Sequence, residues 1–239
     1  SLIGIQQKPL IIALVAERSD AKSASALEAL NPFGAYNDLG KILERQLGRP
    51  VGWDLCFALQ LPDSLRGGLS HLAFVGPYEY AELAQKLDCD VIAIALDAQQ
   101  RPARPAVLVV AADSPLENAA ELATHTVAFG PNGNARTHYA ALALLAQNGV
   151  NKDDLSLEVL PVPGSLKHFP NARGVLQSIL HESSDAGFVD LEDWEALPET
   201  SADTDEPTRS RLRIIAQTTD VPNQLVVASP KLEATWREQ

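Results

Sequence analysis

The chain has 239 residues, of which 46% are hydrophobic and 21% charged, ordinary values for a globular protein that exclude disorder over its whole length. Its 19 Lys and Arg stand against 31 Asp and Glu, for a net charge of -12. This balance argues against a general binder of nucleic acid or anionic membranes, although it leaves room for one local cationic pocket. The apolar run Leu10–Ala16, like every other apolar run in the sequence, is far shorter than the ~20 residues of a membrane span.

The first hundred residues alternate short apolar runs with amphipathic runs, a pattern typical of strands and helices in turn. Asn31 and Pro32 interrupt this pattern once, and Gly48 stands where a left-handed residue commonly follows a helix. Strands are predicted at residues 10–16, 51–58, 71–75 and 90–96, and helices at 35–47, 61–68 and 78–87.

The alternation continues after a composition shift at residues 101–105, which indicates a hinge or crossover. It predicts an α/β protein with mainly parallel sheets, in two lobes that divide near residue 103. Residues 197–209 are polar and acidic, as in a solvated loop. Strands are predicted at 106–112, 124–129, 155–162, 186–190, 212–217 and 224–228, and helices from Ser114-Pro115, at 138–148 and at 173–181.

The most informative stretch is VAFGPNGNARTHYAALALL, residues 127–145, in which a strand, a Gly/Asn-rich turn and a long helix follow one another. Free N–H groups at a helix start, together with the helix dipole, favour an anion, and Arg136 adds a bidentate donor. Alternatively, Asn134 only caps the helix and the glycines only make the turn. The segment lacks the Lys-Ser/Thr end of a P-loop and the spacing of a dinucleotide-binding motif.

Further candidates lie near other element ends. Asn171 and Arg173 open a second helix, which suggests either another anion-binding helix start or a plain capped surface helix. Tyr78 follows the third strand, and Cys56 lies near the carboxyl end of the second, where open α/β sheets bind ligands. Either residue is equally well explained by packing, and Cys56 and Cys89 either form a bridge or both stay free.

Enzyme signatures are absent: no G-x-S-x-G, H-E-x-x-H or C-x-x-C occurs, and the five histidines are scattered. His138, at the start of the candidate anion-binding helix, is the one histidine placed near a candidate site. The acidic stretch 182–206 lacks metal-ligand spacing and is interpreted as a solvated face. No signal peptide is visible, and Ser1 in place of an initiator Met indicates a processed or trimmed chain.

Several segments resemble, in order and spacing, the periplasmic phosphonate- and phosphate-binding proteins of ABC importers, the PhnD-like group of type II solute-binding proteins. They span about residues 9–232 and include LGKILERQLGRPVGWDL, GLSHLAFVGPYEYAEL, HTVAFGPNGNARTHYAALALLAQNGV, ILHESSDAGFVD and LRIIAQTTDVPNQLVVASPKL. The resemblance implies a two-lobed clamshell with two crossover strands, lobe I being residues 1–104 plus 217–239 and lobe II residues 105–216. It also implies a periplasmic or cell-envelope location, no catalysis and no cofactor.

This sequence departs from that family at the ligand contacts the resemblance implies. Where the family has a Ser/Thr-rich turn, this chain has Gly133, Asn134, Ala135 and Arg136, none of which carries a hydroxyl. Ala172 and Arg173 occupy positions near the family's histidine and acidic residue. Cys56 lies near a family tyrosine position, and Asp190 where strand-end contacts occur. The ligand contacts predicted by the resemblance are Tyr78, Asn134, Ala135, Arg136, Thr137, His138, Arg173, Asp190 and Cys56.

The leading functional hypothesis is a binding protein that captures a small oxyanion or carboxylate between the lobes and delivers it to an ABC permease. The alternative is a sensor or accessory domain on the same fold, with a membrane kinase as partner and a ligand such as arsenite held by Cys56. A ferric site using Tyr78, Tyr80, His138 or Asp190 lacks the paired-tyrosine spacing, and an enzyme lacks a nucleophile beside a base.

Overall fold

The computed structural model describes residues 8–16, 34–156, 165–201, 203 and 206–232. The break predicted at Asn31-Pro32 and most of the strand predicted at 155–162 lie outside these ranges. The described chain divides into two compact units, which we call unit 1 (residues 8–16, 34–102 and 222–232) and unit 2 (the remainder). The chain therefore passes between the units twice, at 102–103 and at 221–222.

The elements follow the predicted order closely. The strands are β1 (Leu10–Ala16), β2 (Val51–Phe57), β3 (Leu72–Val75), β4 (Asp90–Ile94), β5 (Ala103–Arg104), β6 (Ala106–Ala111), β7 (Val127–Phe129), β8 (Lys167–His168), β9 (Ala186–Asp190), β10 (Leu212–Gln217), β11 (Val221–Pro222) and β12 (Leu225–Ala228). The helices are α1 (Asn37–Leu47), α2 (Leu61–Gly67), α3 (Pro77–Ala84), α4 (Ala141–Gln147, continuing a π-helical turn Ala135–Ala140), α5 (Ala172–Leu180) and α6 (Leu191–Glu195). Single 3₁₀ turns lie at Gly34–Tyr36, Ala119–Leu122, Lys152–Asp154 and Arg209–Arg211.

Three predictions needed correction. The helix predicted from Ser114 begins instead at Ala119, because Asn118 accepts a hydrogen bond from the Ala120 N–H and caps it there. The strand predicted from Thr124 begins at Val127, since Thr124 has a φ of 70°, which lies outside the extended region of regular strands. The long helical segment predicted from His138 begins three residues earlier, at Ala135. In addition, the structure contains helix α6 and strand β8, which the sequence did not predict.

In unit 1 the five-stranded sheet has the order β2-β1-β3-β12-β4. Strand β1 pairs in parallel with β2 and β3, whereas β12 pairs antiparallel with β3 and β4. The sheet is therefore mixed, because β12 enters it from the second crossing in the opposite direction. Its core on one side includes Cys56, Leu61 and Leu65, and on the other Leu10 and Ile12.

In unit 2 the sheet order is β10-β6-β9-β7-β8. Strands β9, β7 and β8 run in parallel, whereas β6 pairs antiparallel with both β9 and β10. The parallel trio therefore ends at one sheet edge, just before Gly130, just before Phe169 and at Asp190. Ligands of α/β proteins bind at such an edge, which makes it the first place to look for a site.

The core of unit 2 lies on both faces of this sheet. Phe129 and Phe188, on the neighbouring strands β7 and β9, are fully buried and stacked with ring centroids 5.6 Å apart. The opposite face packs helix α5 through Val175, Leu176 and Ile179. Strands β7 and β9 are thus packed on both faces of the sheet.

Truncating Phe188 to alanine is expected to lower the free energy of unfolding by about 3–5 kcal/mol, because the lost ring leaves a cavity in this core. Ile42→Ala serves as the control, since Ile42 is half exposed and its truncation should cost little. Urea unfolding of both variants measures the difference. Equal losses in the two variants would show that the Phe129–Phe188 stack does not anchor the sheet.

Candidate functional site

The turn after β7 is built by its own polar residues. Gly133 has a φ of 87°, which favours glycine, and Asn134 returns the chain to extended geometry before the helix starts. The Asn134 Oδ1 accepts hydrogen bonds from the N–H groups of Arg136 and Thr137, at 2.9 and 3.0 Å. The first-turn N–H of Ala135 takes no part in this side-chain cap.

Two histidines hold the same turn. The Gly133 N–H donates to His138 Nδ1 at 2.9 Å, and His168 Nδ1 donates to the Gly130 carbonyl at 2.8 Å, since a carbonyl can only accept. The rings meet edge to face with centroids 4.7 Å apart. Burial, and to a lesser extent His168, lower the pKa of His138 to about 4. His138 is therefore neutral at pH 7, with its proton on Nε2.

A cavity of about 240 Å³ opens at the carboxyl edge of the parallel trio. Its volume lies below the roughly 300–1,000 Å³ typical of sites for drug-sized ligands and suits a small ion. Two capped helix starts and the end of β9 meet there. The lining residues are Gly130, Pro131, Asn134, Thr137, Pro170, Asn171, Ala172, Phe188, Val189, Asp190 and Asp193.

Thr137 is the most informative residue of this lining. It is only 6% exposed, and its Oγ1 is buried without a hydrogen-bond partner in the described part of the chain. Gly130 leaves the room for it, because a Cβ at that position would collide with the Thr137 side chain. A buried hydroxyl without a partner costs about 1–3 kcal/mol, a cost that a ligand accepting its proton removes.

The Arg136 side chain is bound by the protein itself. Its Nη1 lies 3.4 Å from Asp190 Oδ2, and its Nε and Nη2 donate to the carbonyls of Arg104 and Val221 at 3.2 and 3.1 Å. Arg104 Nε pairs with the other oxygen of Asp190 at 2.5 Å, and Arg104 Nη2 with Glu192 at 2.7 Å. Arg136 thus ties the first turn of the helix to the ends of β5 and β9 and to the chain near the second crossing.

The second arginine predicted to contact the ligand, Arg173, is not among the residues that line the cavity. The Arg173 side chain is 60% exposed and contacts Glu206 at 3.4 Å, so Arg173 and Arg136 have different carboxylate partners. Its neighbour Asn171 does reach the cavity, and Asn171 Oδ1 caps α5 by accepting from the Gly174 N–H at 2.9 Å. The structure therefore brings together Asn134, Thr137 and Asp190 of the predicted contacts.

Two predicted residues belong to unit 1. Tyr78 lies in the first turn of α3, where its hydroxyl donates to Glu82 at 3.0 Å. Cys56 and Cys89 are both free, and Cys56 is buried in the unit 1 core. Burial, and then Asp54, raise the pKa of the Cys56 thiol, which disfavours the thiolate that a metalloid ligand needs. No cluster of three or more potential metal ligands occurs among the described residues.

Sequence reasoning missed two residues of the site. His168 was one scattered histidine among five, and only the parallel pairing of β8 with β7 shows why it matters. Asp193 was counted within an acidic solvated stretch. Its position just after a buried strand, at the carboxyl edge of the sheet, was the signal that could have identified it.

The comparisons with known proteins agree with this geometry. Residues 33–239 match the family model described as "ABC transporter, phosphonate, periplasmic substrate-binding protein". The chain belongs to this family. No match was found among curated proteins.

Solved structures share the fold of this phosphonate-binding family member at low sequence identity. A Xanthomonas citri protein bound to chloride ion has a TM-score of 0.66 and 16% identity, over 96% of this chain and 80% of that one. PhnD1 of Prochlorococcus marinus in complex with methylphosphonate has a TM-score of 0.62 and 18% identity, and the match covers 97% of this chain and 80% of that one. A binding-protein component of an ABC phosphonate transporter from Pseudomonas aeruginosa has a TM-score of 0.60 and 15% identity, and the match covers 97% of this chain and 72% of that one.

The fold is therefore that of type II periplasmic binding proteins, and the family consists of substrate-binding proteins rather than enzymes. The family is periplasmic and serves ABC transporters, which confirms the predicted small ligand and permease partner. Nothing in the comparisons supports the alternative of a sensor with a kinase partner. Within the described ranges, no helix has the length and apolar character needed to cross a membrane.

The lowered pKa of His138 predicts a specific pH dependence of stability. Because protonation is easier in the unfolded chain, the His138 contribution is complete above pH ~6.5 and declines as the pH falls towards 4, by up to about 3 kcal/mol. His138→Asn keeps an acceptor for the Gly133 N–H but does not titrate, so its stability should fall less. Urea unfolding between pH 7 and 4.5 gives the difference between the two proteins, and parallel curves would contradict the assignment.

Proposed function

We propose that this protein binds a small phosphonate-like oxyanion in the unit 2 cavity, as the receptor of an ABC importer. The observation that carries the proposal is Thr137, which lines the cavity and whose buried Oγ1 has no partner among the described residues. A threonine hydroxyl at this place is costly in the empty protein and useful only if something accepts its hydrogen bond.

The backbone around Thr137 supplies further attraction for an anion. The π-helical turn and α4 form one continuous helical segment over Ala135–Ala140 and Ala141–Gln147, and its amino end borders the cavity. Helix α5, nine residues long, begins at the same cavity with Ala172. Two helix starts place partial positive charge and free N–H groups on one small volume, which favours an oxyanion.

The predicted contacts divide into groups. We assign direct contact to Thr137 and to the Ala135 N–H, with Asn134 shaping the helix start. Arg136 and Asp190 hold that start in place, as His138 does through Gly133. Arg173 adds positive charge to the first turn of α5. Tyr78 lies in unit 1, where its hydroxyl donates to Glu82, and is left out of this unit 2 site. Cys56 is left out because its thiol packs in the core.

Delivery of the ligand is inferred from the family rather than from the cavity. We propose that the protein works in the periplasm and releases its ligand to a membrane permease. Hinge motion at the two chain crossings is the proposed signal that tells the permease whether the site is filled.

The test is calorimetric titration of the whole chain with methylphosphonate, phosphate, phosphite and sulfate. The wild-type protein should bind at least one of these ligands. Thr137→Val should weaken that binding about tenfold or more, because a hydrogen bond to a charged group is lost. The valine fills the same space, so the empty variant should be at least as stable as the wild type.

Thr137→Ser is the matched control, since it keeps the hydroxyl and removes only a methyl group. It should bind more tightly than Thr137→Val. Asn118→Ala controls for the loss of an unrelated helix cap and should leave binding unchanged. Binding by Thr137→Val at wild-type strength would exclude this hydroxyl as a contact, and no binding by the wild type to any oxyanion would overturn the proposed function.

A further inference from the structure

The chain contains two Asn-Gly pairs, Asn132-Gly133 and Asn148-Gly149, and both lie in turns with similar backbone geometry. Gly133 has a φ of 87° and Gly149 a φ of 77°. Such a pair is chemically labile, because glycine has no side chain to keep its backbone nitrogen away from the side-chain amide carbon of the asparagine. The two pairs differ in the group that accepts a hydrogen bond from the glycine N–H.

At the first pair the acceptor is a base. The Gly133 N–H donates to His138 Nδ1 at 2.9 Å. The His138 ring is only 8% exposed, and it is stacked on Tyr139 and in edge contact with His168. Since burial, and then His168, lower the pKa of His138 to about 4, its Nδ1 keeps a free lone pair towards this proton at neutral pH. A base at hydrogen-bond distance from a proton is placed to remove it.

At the second pair the acceptor is a carbonyl oxygen. The Gly149 N–H donates to the Ala146 carbonyl at 3.1 Å, and Asn148 Nδ2 donates to the Leu144 carbonyl at 2.8 Å. Both reacting groups of this pair are thus bound to the end of helix α4. The Asn132 side chain, in contrast, is exposed and has no hydrogen-bond partner within the described ranges, so it can turn towards the next backbone nitrogen.

We propose that Asn132 is a site of self-modification, for which His138 is the general base. His138 Nδ1 takes the proton of the Gly133 N–H while that nitrogen attacks Asn132 Cγ. The new N–Cγ bond forms, the bond from Cγ to Nδ2 breaks, and the departing nitrogen leaves as ammonia with the proton that His138 returns. Water from the solvent then opens the succinimide at either of its carbonyls, which gives aspartate or isoaspartate at position 132.

The product changes the surroundings of the oxyanion cavity. Position 132 lies between Pro131 and Asn134, which both line the cavity, and the Asn134 N–H closes this turn on the Pro131 carbonyl at 3.0 Å. Either product adds a negative charge beside an anion site, and isoaspartate also lengthens the main chain within the turn. Modification should therefore weaken oxyanion binding several-fold. This consequence rests on the proposed function, whereas the modification itself does not.

The experiment follows both pairs by peptide mass spectrometry while the whole chain is kept folded at neutral pH. Trypsin separates the two pairs because it cleaves after Arg136. Conversion at Asn132 should be at least about tenfold faster than at Asn148, a modest part of the roughly 10²–10⁴-fold that a positioned base contributes. In concentrated urea, where neither pair keeps its turn, the two rates should become similar.

Two variants separate the base from the turn. His138→Asn keeps an acceptor for the Gly133 N–H but removes the base, so conversion at Asn132 should slow to a rate near that of Asn148. The rate at Asn148 in the same sample reports any general loosening of the fold. Asn132→Gln would need a larger ring to react, so it should stay largely unconverted and keep its affinity for methylphosphonate, while the wild type loses affinity as conversion proceeds.

The outcomes distinguish this proposal from the proposed function. Equal rates at Asn132 and Asn148 in the folded protein would overturn it, as would unchanged or faster conversion at Asn132, relative to Asn148, in His138→Asn. Converted protein that binds methylphosphonate as tightly as fresh protein would overturn the assigned effect on binding. If Asn132 converts as expected but fresh wild type binds no oxyanion, the proposed function fails and the modification site stands.

Discussion

The site depends on one constraint, the parallel pairing of β7, β8 and β9. Parallel strands end at the same edge, so the segments that leave their carboxyl ends meet there. These segments are a helix start after β7, a second helix start after β8, and Asp190 at the end of β9. The buried stack of Phe129 on Phe188 holds two of these strands in register and thereby fixes the distance between the groups that line the cavity.

Among the buried side-chain nitrogen and oxygen atoms of the described residues, only the Thr137 Oγ1 lacks a hydrogen-bond partner, and that exception is informative. Asn134 and Asn171 cap their helices, the two histidines hold the turn, and Arg136 is held by Asp190 and two carbonyls. Because the neighbouring side chains are paired, we interpret the Thr137 hydroxyl as a hydrogen-bond donor to a ligand. Protein interiors rarely tolerate such a group unless it has a role.

Much of this was predictable from local sequence. Hydrophobic alternation indicated the strands, and the cap residues Asn134 and Asn171 marked both helix starts that border the cavity. The resemblance to phosphonate-binding proteins was confirmed by the family match. Long-range pairing was not predictable. Only the folded chain shows that Asp190 and two carbonyls hold the Arg136 guanidinium, that Arg173 pairs with Glu206, and that Thr137 lacks a partner among the described residues.

The most direct test of the central claim follows the backbone N–H groups of the ¹⁵N-labelled protein by NMR during titration with methylphosphonate. We expect saturable shifts concentrated at Ala135, Thr137 and Ala172, with downfield movement of the Ala135 proton as it gains a charged acceptor. Saturable binding that leaves these three signals in place would contradict the proposed site, because the ligand would then occupy another part of the molecule.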